Sequence, residues 1–371
     1  MATTTATTTP YRAIFCDLRT DRTIDILPVR DVTVDDYIGK AGSLSGTIPV
    51  PTAALAARVR RIEEGRTAVY LERGGDLWWG GIIWTSTLQS DDRGVLTLGV
   101  QAATFDSYAG RRRIRADLTY TDTEQLALAR NLWQHLQTSL AGGDIRVTYG
   151  TETSSATRTV SYRDGDETVY AEALDALAAM DDGFEHHIAV YRDPVTGDRI
   201  RRLRLGSPKI RTGTTDLVMD RPGAILSYSF PRDATRGGTT ARARGASVND
   251  NQAEESRPLY ADAPPATALI DAGYPLIDLT SDHNSVTDID TLRSLATAEL
   301  ATAAGSVVIP ELSVRLDDLV PPALLGRTVR IRITDEWWPE GLDVRYRIIG
   351  VKVAPAQRGR PDTAELYLEE A

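Results

Sequence analysis

Four pairs of adjacent aspartates are the most obvious source of acid–base chemistry in this sequence. A glycosidase needs two carboxyl groups roughly 5 to 10 Å apart across a sugar-binding cleft. Neighbouring residues in turns do not create that geometry by themselves, and aspartate commonly caps helices and stabilises turns. We therefore expect structural roles for the pairs, which are Asp35 and Asp36, Asp91 and Asp92, Asp181 and Asp182, and Asp317 and Asp318.

Nucleophilic, metal-dependent and nucleotide-dependent chemistry all lack the residue patterns they need. Cys16 is the only cysteine, which excludes an internal disulfide framework and a Cys-x-x-Cys zinc site, and its position on an alternating strand favours core packing. His186 and His187 are adjacent in a predicted strand and so point to opposite faces. The sequence contains no phosphate-binding loop, no Gly-x-Ser-x-Gly and no His-Glu-x-x-His. We predict that the protein is not an enzyme and uses no cofactor or metal.

Four of the six tryptophans form two pairs, each following an acidic turn between predicted strands. Residues 69–86 and residues 329–353 share one predicted order, which is a strand, an acidic turn, a Trp-Trp pair, a glycine and a second strand. The match fits either two related end domains or an ordinary likeness between hairpins, because a repeat of two units carries little weight. Indoles beside turns can stack on sugars, but more often they pack at the end of a barrel or cover an interface. We predict packing and interface roles for Trp78, Trp79, Trp337 and Trp338.

The charge pattern argues against a protein that grips nucleic acid. The net charge is −10, and the only basic run, residues 111–115, has no interleaved aromatic residues, which favours a solvated or subunit-contact role. No apolar segment reaches the roughly 18 residues needed to cross a bilayer. Residues 1–10 also lack the basic and apolar regions of an export signal. We expect no membrane anchor.

Short strands separated by turns dominate both ends of the chain, with helical patterns between them. The fold class predicted is α+β and β-rich, with two tube-like β-barrel domains flanking an α+β insertion. In chain order we predict a disordered tail (1–10), a first β-barrel domain (11–116), an α+β domain (117–230), a linker segment (231–305) with a helix at 288–304, and a second β-barrel domain (306–371). Residues 122–125 resemble a capping box that begins a helix, and residues 193–198 the turn of a hairpin.

This order of elements resembles the tail hub proteins of bacteriophages, the baseplate-hub-like minor tail proteins. The resemblance covers nearly the whole chain and includes the Asp-Asp-Gly-Phe-Glu segment at 181–185 and the Gly- and Arg-rich segment after residue 231. Segments 11–21 and 43–49 are similar to hubs of long, non-contractile tails of phages that infect actinobacteria. The excess of arginine over lysine fits such a GC-rich source.

The resemblance implies a homotrimer whose two barrels per subunit form a pseudo-six-fold ring that closes the distal tail tube and adapts it to a three-fold tip. The implied partners are the distal tail protein ring, the tape measure protein and a central fibre or tip protein, with transient passage of phage DNA through the lumen. The implied location is the distal end of the tail in the virion, after synthesis in the host cytoplasm.

Other interpretations stay open at this point. The hub of a contractile injection particle would share the fold, and a carbohydrate-binding or cell-wall-degrading virion protein would use the tryptophan or aspartate pairs. Many hubs continue into a fibre, peptidase or lysozyme module, whereas this sequence stops at residue 371. We therefore expect cell-wall digestion and receptor binding to belong to other proteins.

Overall fold

A computed structural model describes residues 10–248, 257–284, 286–305, 307–308, 310–355 and 361–371. Apart from Pro10, the predicted disordered tail lies outside the described residues. The chain divides into two compact units. The larger unit comprises the described residues up to Leu174 together with Glu185–Tyr228 and Glu311–Ala371, and the smaller unit comprises Asp175–Phe184 and the described residues of Ser229–Pro310.

The N-terminal part of the larger unit is a meandering sheet with one short helix. Thr52 begins this helix, α1, because its side-chain oxygen accepts a hydrogen bond from the Leu55 amide at 3.2 Å. The strands pair in the order β3-β4-β7-β6-β5-β1-β2. The elements are β1 Arg12–Asp17, β2 Thr23–Leu27, β3 Arg30–Tyr37, β4 Ser43–Pro49, α1 Ala53–Val59, β5 Thr67–Arg73, β6 Asp76–Ser90 and β7 Leu96–Thr104.

Two helices and two small sheets follow. The long helix α2 buries Leu126, Leu132 and Trp133 on one face. Glu124 caps this helix because its carboxylate accepts hydrogen bonds from the amides of Leu126 and Ala127 at 2.7 and 2.8 Å. This cap differs from the predicted capping box. β8 pairs with β10, and β11 pairs with β12, which pairs in parallel with β9. The elements are β8 Leu118–Glu124, α2 Gln125–Thr138, β9 Val147–Tyr149, β10 Thr157–Tyr162, α3 Tyr170–Ala178, β11 Glu185–Arg192 and β12 Arg199–Gly206.

The next segment contains two strands of the larger unit and then most of the smaller unit. The smaller unit has a three-stranded sheet in the order β17-β16-β18, on which α5 packs. The elements are β13 Leu217–Arg221, β14 Ile225–Ser229, β15 Arg232–Asp233, β16 Thr240–Val248, β17 Arg257–Asp262, α4 Thr267–Asp271, β18 Asp278–Asp282, α5 Ile289–Ala303 and β19 Val307–Val308.

The structure therefore differs from the predicted linker at 231–305, which folds into strands and helices around its own core. That core is built from small alanines, Ala241 and Ala243 on β16, packed against Leu292, Ala296 and Leu300 on α5. Small residues allow a helix to lie close to a sheet, but their low hydrophobicity gives a weak strand signal. The predicted helix at 288–304 is observed at Ile289–Ala303, and Asp288 caps it by accepting from the Thr291 amide at 2.7 Å.

The C-terminal strands join the N-terminal sheet. They are β20 Glu311–Arg315, β21 Thr328–Ile333, β22 Leu342–Ala354 and β23 Thr363–Glu370. The long strand β22 pairs with β21 and β23, and through its second half with β3. The result is one continuous 13-stranded sheet. The α+β, β-rich fold class is thus confirmed.

Two details of this sheet were not predicted. β13 pairs in parallel with β21, and β14 pairs with β20, so both strands belong with the C-terminal strands although they lie within the predicted α+β domain. The junction between β22 and β3 also requires close approach at Gly350, where a Cβ atom would lie 2.4 Å from the Tyr37 ring. A glycine is needed there because a larger residue would push the two strands apart.

Candidate interaction surfaces

The first tryptophan pair lies inside the larger unit. Trp79 is 2% exposed, and its indole Nε1 donates a hydrogen bond to the Asp35 carbonyl oxygen at 2.9 Å. Trp78 is 6% exposed and packs edge-to-face on Tyr11, with ring centroids 5.2 Å apart. The Arg73 guanidinium lies 5.1 Å from the Trp78 ring. The packing role predicted for this pair fits these contacts, whereas their burial leaves little surface for a partner.

The second pair lies in the Trp337 loop, residues 334–341, which connects β21 to β22. Trp337 is 77% exposed. Asp335 shapes the loop by accepting hydrogen bonds from the amides of Trp337 and Trp338 at 3.0 and 3.1 Å. Trp338 packs on Tyr228 with ring centroids 5.3 Å apart, and the Tyr228 hydroxyl donates to Asp335 at 2.5 Å. The loop therefore holds the Trp337 indole in solvent, where it can meet a partner.

The tip of the β6–β7 hairpin is a second exposed apolar surface. Leu88, Val95 and Leu96 are all exposed there, although the two strands stay paired as far as Ser90 and Leu96. Asp91 stabilises the turn, as predicted for this aspartate, because its carboxylate accepts from the Val95 amide at 2.7 Å. Ordered, exposed apolar residues of this kind are typical of contact surfaces.

The junction of β3 and β22, hereafter the seam, is stabilised by charged side chains that extend from β11 to both strands. His187 Nε2 lies 3.1 and 3.2 Å from the two carboxylate oxygens of Asp36 on β3. Two residues earlier on β11, Glu185 forms an ion pair with Arg347 on β22, and Glu369 completes this network at 2.7 Å from Arg347 Nε. Arg347 is fully buried. One strand thus ties the N-terminal and C-terminal strands together.

Burial and charge oppose each other at His187. Burial lowers the pKa of the imidazole, but the Asp36 carboxylate outweighs it, and the pKa of His187 is raised. Asp106 lies near the same ring, and burial raises the pKa of its carboxyl group. Its Oδ1 accepts from the Ile188 amide at 3.0 Å, while its Oδ2 is buried without a hydrogen-bond partner among the described residues. This acid–histidine group is enclosed, so it suits a structural role better than a reaction with substrate.

A buried arginine that sequence reasoning missed joins β12 to the N-terminal strands. Arg201 is 2% exposed and donates to the Tyr70 hydroxyl, to Asp21 and to the carbonyl oxygens of Leu18 and Ile145, at 2.5 to 2.9 Å. A signal existed in the sequence, because Arg201 shares the inward face of β12 with two leucines at the alternate positions.

The remaining candidate groups have roles within the chain. Cys16 is fully buried in β1, and burial raises the pKa of its thiol. In the basic run, Arg112 donates to Ser139 at 3.0 Å and Arg115 pairs with Glu167 at 3.0 Å. Within the described residues, no group of three or more His, Cys, Asp or Glu side chains could hold a metal ion. Across those same residues, no helix combines the length and apolar character needed to cross a membrane.

Comparisons with known proteins identify relatives in shape. No protein-family model and no curated protein matches the sequence. Among solved structures, the chain is similar to the 43 kDa tail protein of prophage MuSo2 from Shewanella oneidensis, with a TM-score of 0.59, 11% identity and coverage of 97% of this chain and 98% of that one. A tail protein from Neisseria meningitidis MC58 is similar with a TM-score of 0.55 and 14% identity, and the match covers 97% of this chain and 96% of that one. Prophage tail protein gp18 from Listeria monocytogenes EGD-e is similar with a TM-score of 0.52 and 14% identity, and the match covers 96% of this chain and 94% of that one. The fold of this chain is therefore one found in phage tail proteins.

Proposed function

We propose that this protein is a structural hub of a phage tail tip and not an enzyme. The observation that carries the proposal is the likeness in fold to tail proteins across almost the whole length of both chains. A likeness that covers almost the whole chain, rather than one domain, favours a shared architectural role. The proposed site of action is the distal end of the tail in the virion, after synthesis in the host cytoplasm.

The proposed assembly is a homotrimer that forms a pseudo-six-fold ring. Two related, tube-like β-domains per subunit would let three copies match a six-fold tail tube above and a three-fold tip below, because closed rings form from heterologous contacts whose rotation closes. Similar side-chain groups in the two regions support this idea. Trp78 and Trp338 each pack on a tyrosine, and each tyrosine donates to an aspartate.

The ring would surround a lumen through which DNA passes during genome ejection. A net charge of −10 per chain favours passage, since an acidic wall repels phosphates. The partners proposed are the distal tail protein ring, the tape measure protein and a central fibre or tip protein. We further propose a long, non-contractile tail of a phage of actinobacteria. The hub of a contractile particle is the alternative that shares this fold.

A second candidate function is binding of carbohydrate at the Trp337 loop. The observation that favours it is the exposed Trp337 indole, since an exposed indole can stack on a sugar ring. Binding to a glycan array that is lost in the Trp337→Ala variant, with Trp84→Phe as a tryptophan control, would support this function. Absence of glycan binding by the wild-type chain would exclude it.

The hub proposal is tested on the intact particle. Electron-microscopy reconstruction of the tail tip should place three copies in a ring at its distal end, and native mass spectrometry of the purified protein should show trimers. A chain absent from purified virions, or one that turns over peptidoglycan, would contradict the proposal. A sheath around the tube would decide for the contractile alternative.

A further inference from the structure

A cavity of about 500 Å³ lies along β11, an edge strand of its three-stranded sheet in the larger unit. Arg202 and Arg204 line the cavity from β12, and Leu77, Val190 and Pro322 are its apolar lining residues. These residues form none of the seam contacts described above. Arg204 lies opposite His187 in the pairing of β11 with β12. The cavity thus combines cationic and apolar groups in one place.

Glu152 supplies negative charge near both Arg202 and Arg204 at the cavity but pairs closely with neither. Arg204 Nη2 donates to the Arg211 carbonyl oxygen at 3.2 Å and to the Thr212 hydroxyl at 3.1 Å, and within the described residues Arg204 forms no ion pair. Burial lowers the pKa of this guanidinium. Arg202 reaches Glu152 only at 3.9 Å. By contrast, Arg192 at the same cavity is paired with Glu72. Two arginines that share one distant carboxylate are incompletely paired, and a half-buried cation is stabilised when a partner supplies a closer counter-charge.

The lining selects among possible anions. Asp76 and Glu152 also border the cavity and would repel a doubly charged phosphate. A side-chain carboxylate next to an apolar side chain suits the site better, because Leu77, Val190 and Pro322 can cover the apolar part while Arg202 and Arg204 bind one carboxylate and any other carboxylate stays in solvent. The chemistry that fits is an acidic peptide loop carrying a large apolar residue.

The Trp337 loop has this chemistry. Glu336 and Glu340 flank the exposed Trp337 indole, and neither forms an ion pair in the part of the chain that the structure describes. We propose that the Trp337 loop of one copy inserts into the Arg202–Arg204 cavity of the next copy, so that Glu336 pairs with these arginines and Trp337 meets the apolar wall. The inference rests on the proposed ring, for which a head-to-tail contact of two different surfaces is the required type.

Charge reversal tests the contact in the full chain. Self-association is measured by sedimentation velocity at 50, 150 and 500 mM salt. Arg202→Glu and Glu336→Arg should each weaken association by at least about tenfold, and the double variant should recover most of the loss because the pair is restored with opposite polarity. Arg60→Glu, at an exposed site outside the cavity, is the charge-matched control and should associate as the wild type does.

A direct measurement separates this contact from other interfaces. A synthetic peptide of residues 334–341 with a fluorescent label should bind the wild-type chain and compete with self-association, whereas binding to Arg204→Gln should fall by about tenfold. Near-ultraviolet circular dichroism checks that the variant is folded, and Arg202→Glu provides a second variant if it is not. A peptide with Gln at the two Glu positions should bind more weakly.

The outcomes distinguish the two proposals. If the wild type forms trimers and occupies the tail tip but all charge variants associate normally, the loop–cavity contact is wrong and the hub function stands. Binding of inorganic phosphate in preference to the peptide would also overturn the contact. If the wild-type chain is absent from tails, the proposed function fails whatever the peptide does.

Discussion

The two tryptophan pairs occupy similar side-chain surroundings with opposite exposure. In the first, Tyr11 packs on Trp78 and donates to Asp362 at 2.6 Å, beneath the Arg73 guanidinium. In the second, Tyr228 packs on Trp338 and donates to Asp335, with Arg221 5.3 Å from the Tyr228 ring. Yet Trp79 is buried, whereas Trp337 is 77% exposed.

The difference arises from where strand pairing resumes after each turn. Gly74 and Gly75 take positive φ angles and allow a tight turn, so Trp79 already pairs with Leu71 across β5 and β6. After β21, pairing resumes only at Leu342 opposite Ile333. Pro339 lies in the intervening loop and offers no amide for a ladder. The same pair of residues is thus core in one hairpin and surface in the other.

The largest test of this comparison is truncation of the paired indoles. Trp79→Ala should lower the free energy of unfolding by about 3–5 kcal/mol, because it empties a buried site and leaves the Asp35 carbonyl without its donor. Trp337→Ala, the matched change in the exposed loop, should stay within about 0.5 kcal/mol of the wild type. Urea denaturation measures both. Equal losses would show that the two regions do not differ as described.

The seam joins the two regions, and its stability should depend on pH through His187. Because the pKa of His187 is raised, its contribution is fully present below the unfolded-state value of about 6.5 and is lost as pH rises through the folded-state pKa. The slope for one proton is at most about 1.4 kcal/mol per pH unit. Unfolding free energies measured from pH 5 to 9 should show this loss in the wild type and not in His187→Gln. An unchanged slope in the variant would assign the pH dependence to another group.

The tyrosine partners give a smaller contrast. Tyr11→Leu removes the edge-to-face contact with Trp78 and should cost about 0.5–1.5 kcal/mol beyond the area it exposes. Tyr228→Leu removes the corresponding contact of Trp338 at the surface and should leave global stability unchanged. Thermal unfolding of the two variants measures the contrast, and Tyr11→Phe serves as the control that retains the ring. Similar shifts in Tm for both leucine variants would contradict the expected difference between the two tyrosines.

The smallest effect is expected within the Trp337 loop itself. Asp335→Ala removes the acceptor of two loop amides, so hydrogen exchange at Trp337 and Trp338 should become faster while exchange at Trp78 and Trp79 stays the same. The Tyr228 hydrogen bond lowers the pKa of Asp335, so acidification of the wild type through that pKa should loosen the loop in the same way. Unaltered exchange in the variant would mean that Asp335 does not shape the loop.

Local signals were enough to predict the elements that depend on neighbours in sequence. The apolar spacing of Leu292, Leu295 and Leu300 predicted α5, and the turn at 193–198 predicted the β11–β12 hairpin. The predicted core position of Cys16 is observed, although β1 is buried at four consecutive residues and not in alternation. The helix and the hairpin depend on side-chain periodicity and turn chemistry, which a short stretch of chain contains in full.

Contacts between distant segments were not predictable in this way. The pairing of β22 with β3, the parallel pairing of β13 with β21, and the burial of Arg201 and Arg347 depend on which strands meet when the whole chain folds. The sequence alone determined the β-rich class, the main helices and the composition of both tryptophan pairs. Only the tertiary structure decided which pair is buried, because exposure depends on the segments that surround a residue and not on the residue itself.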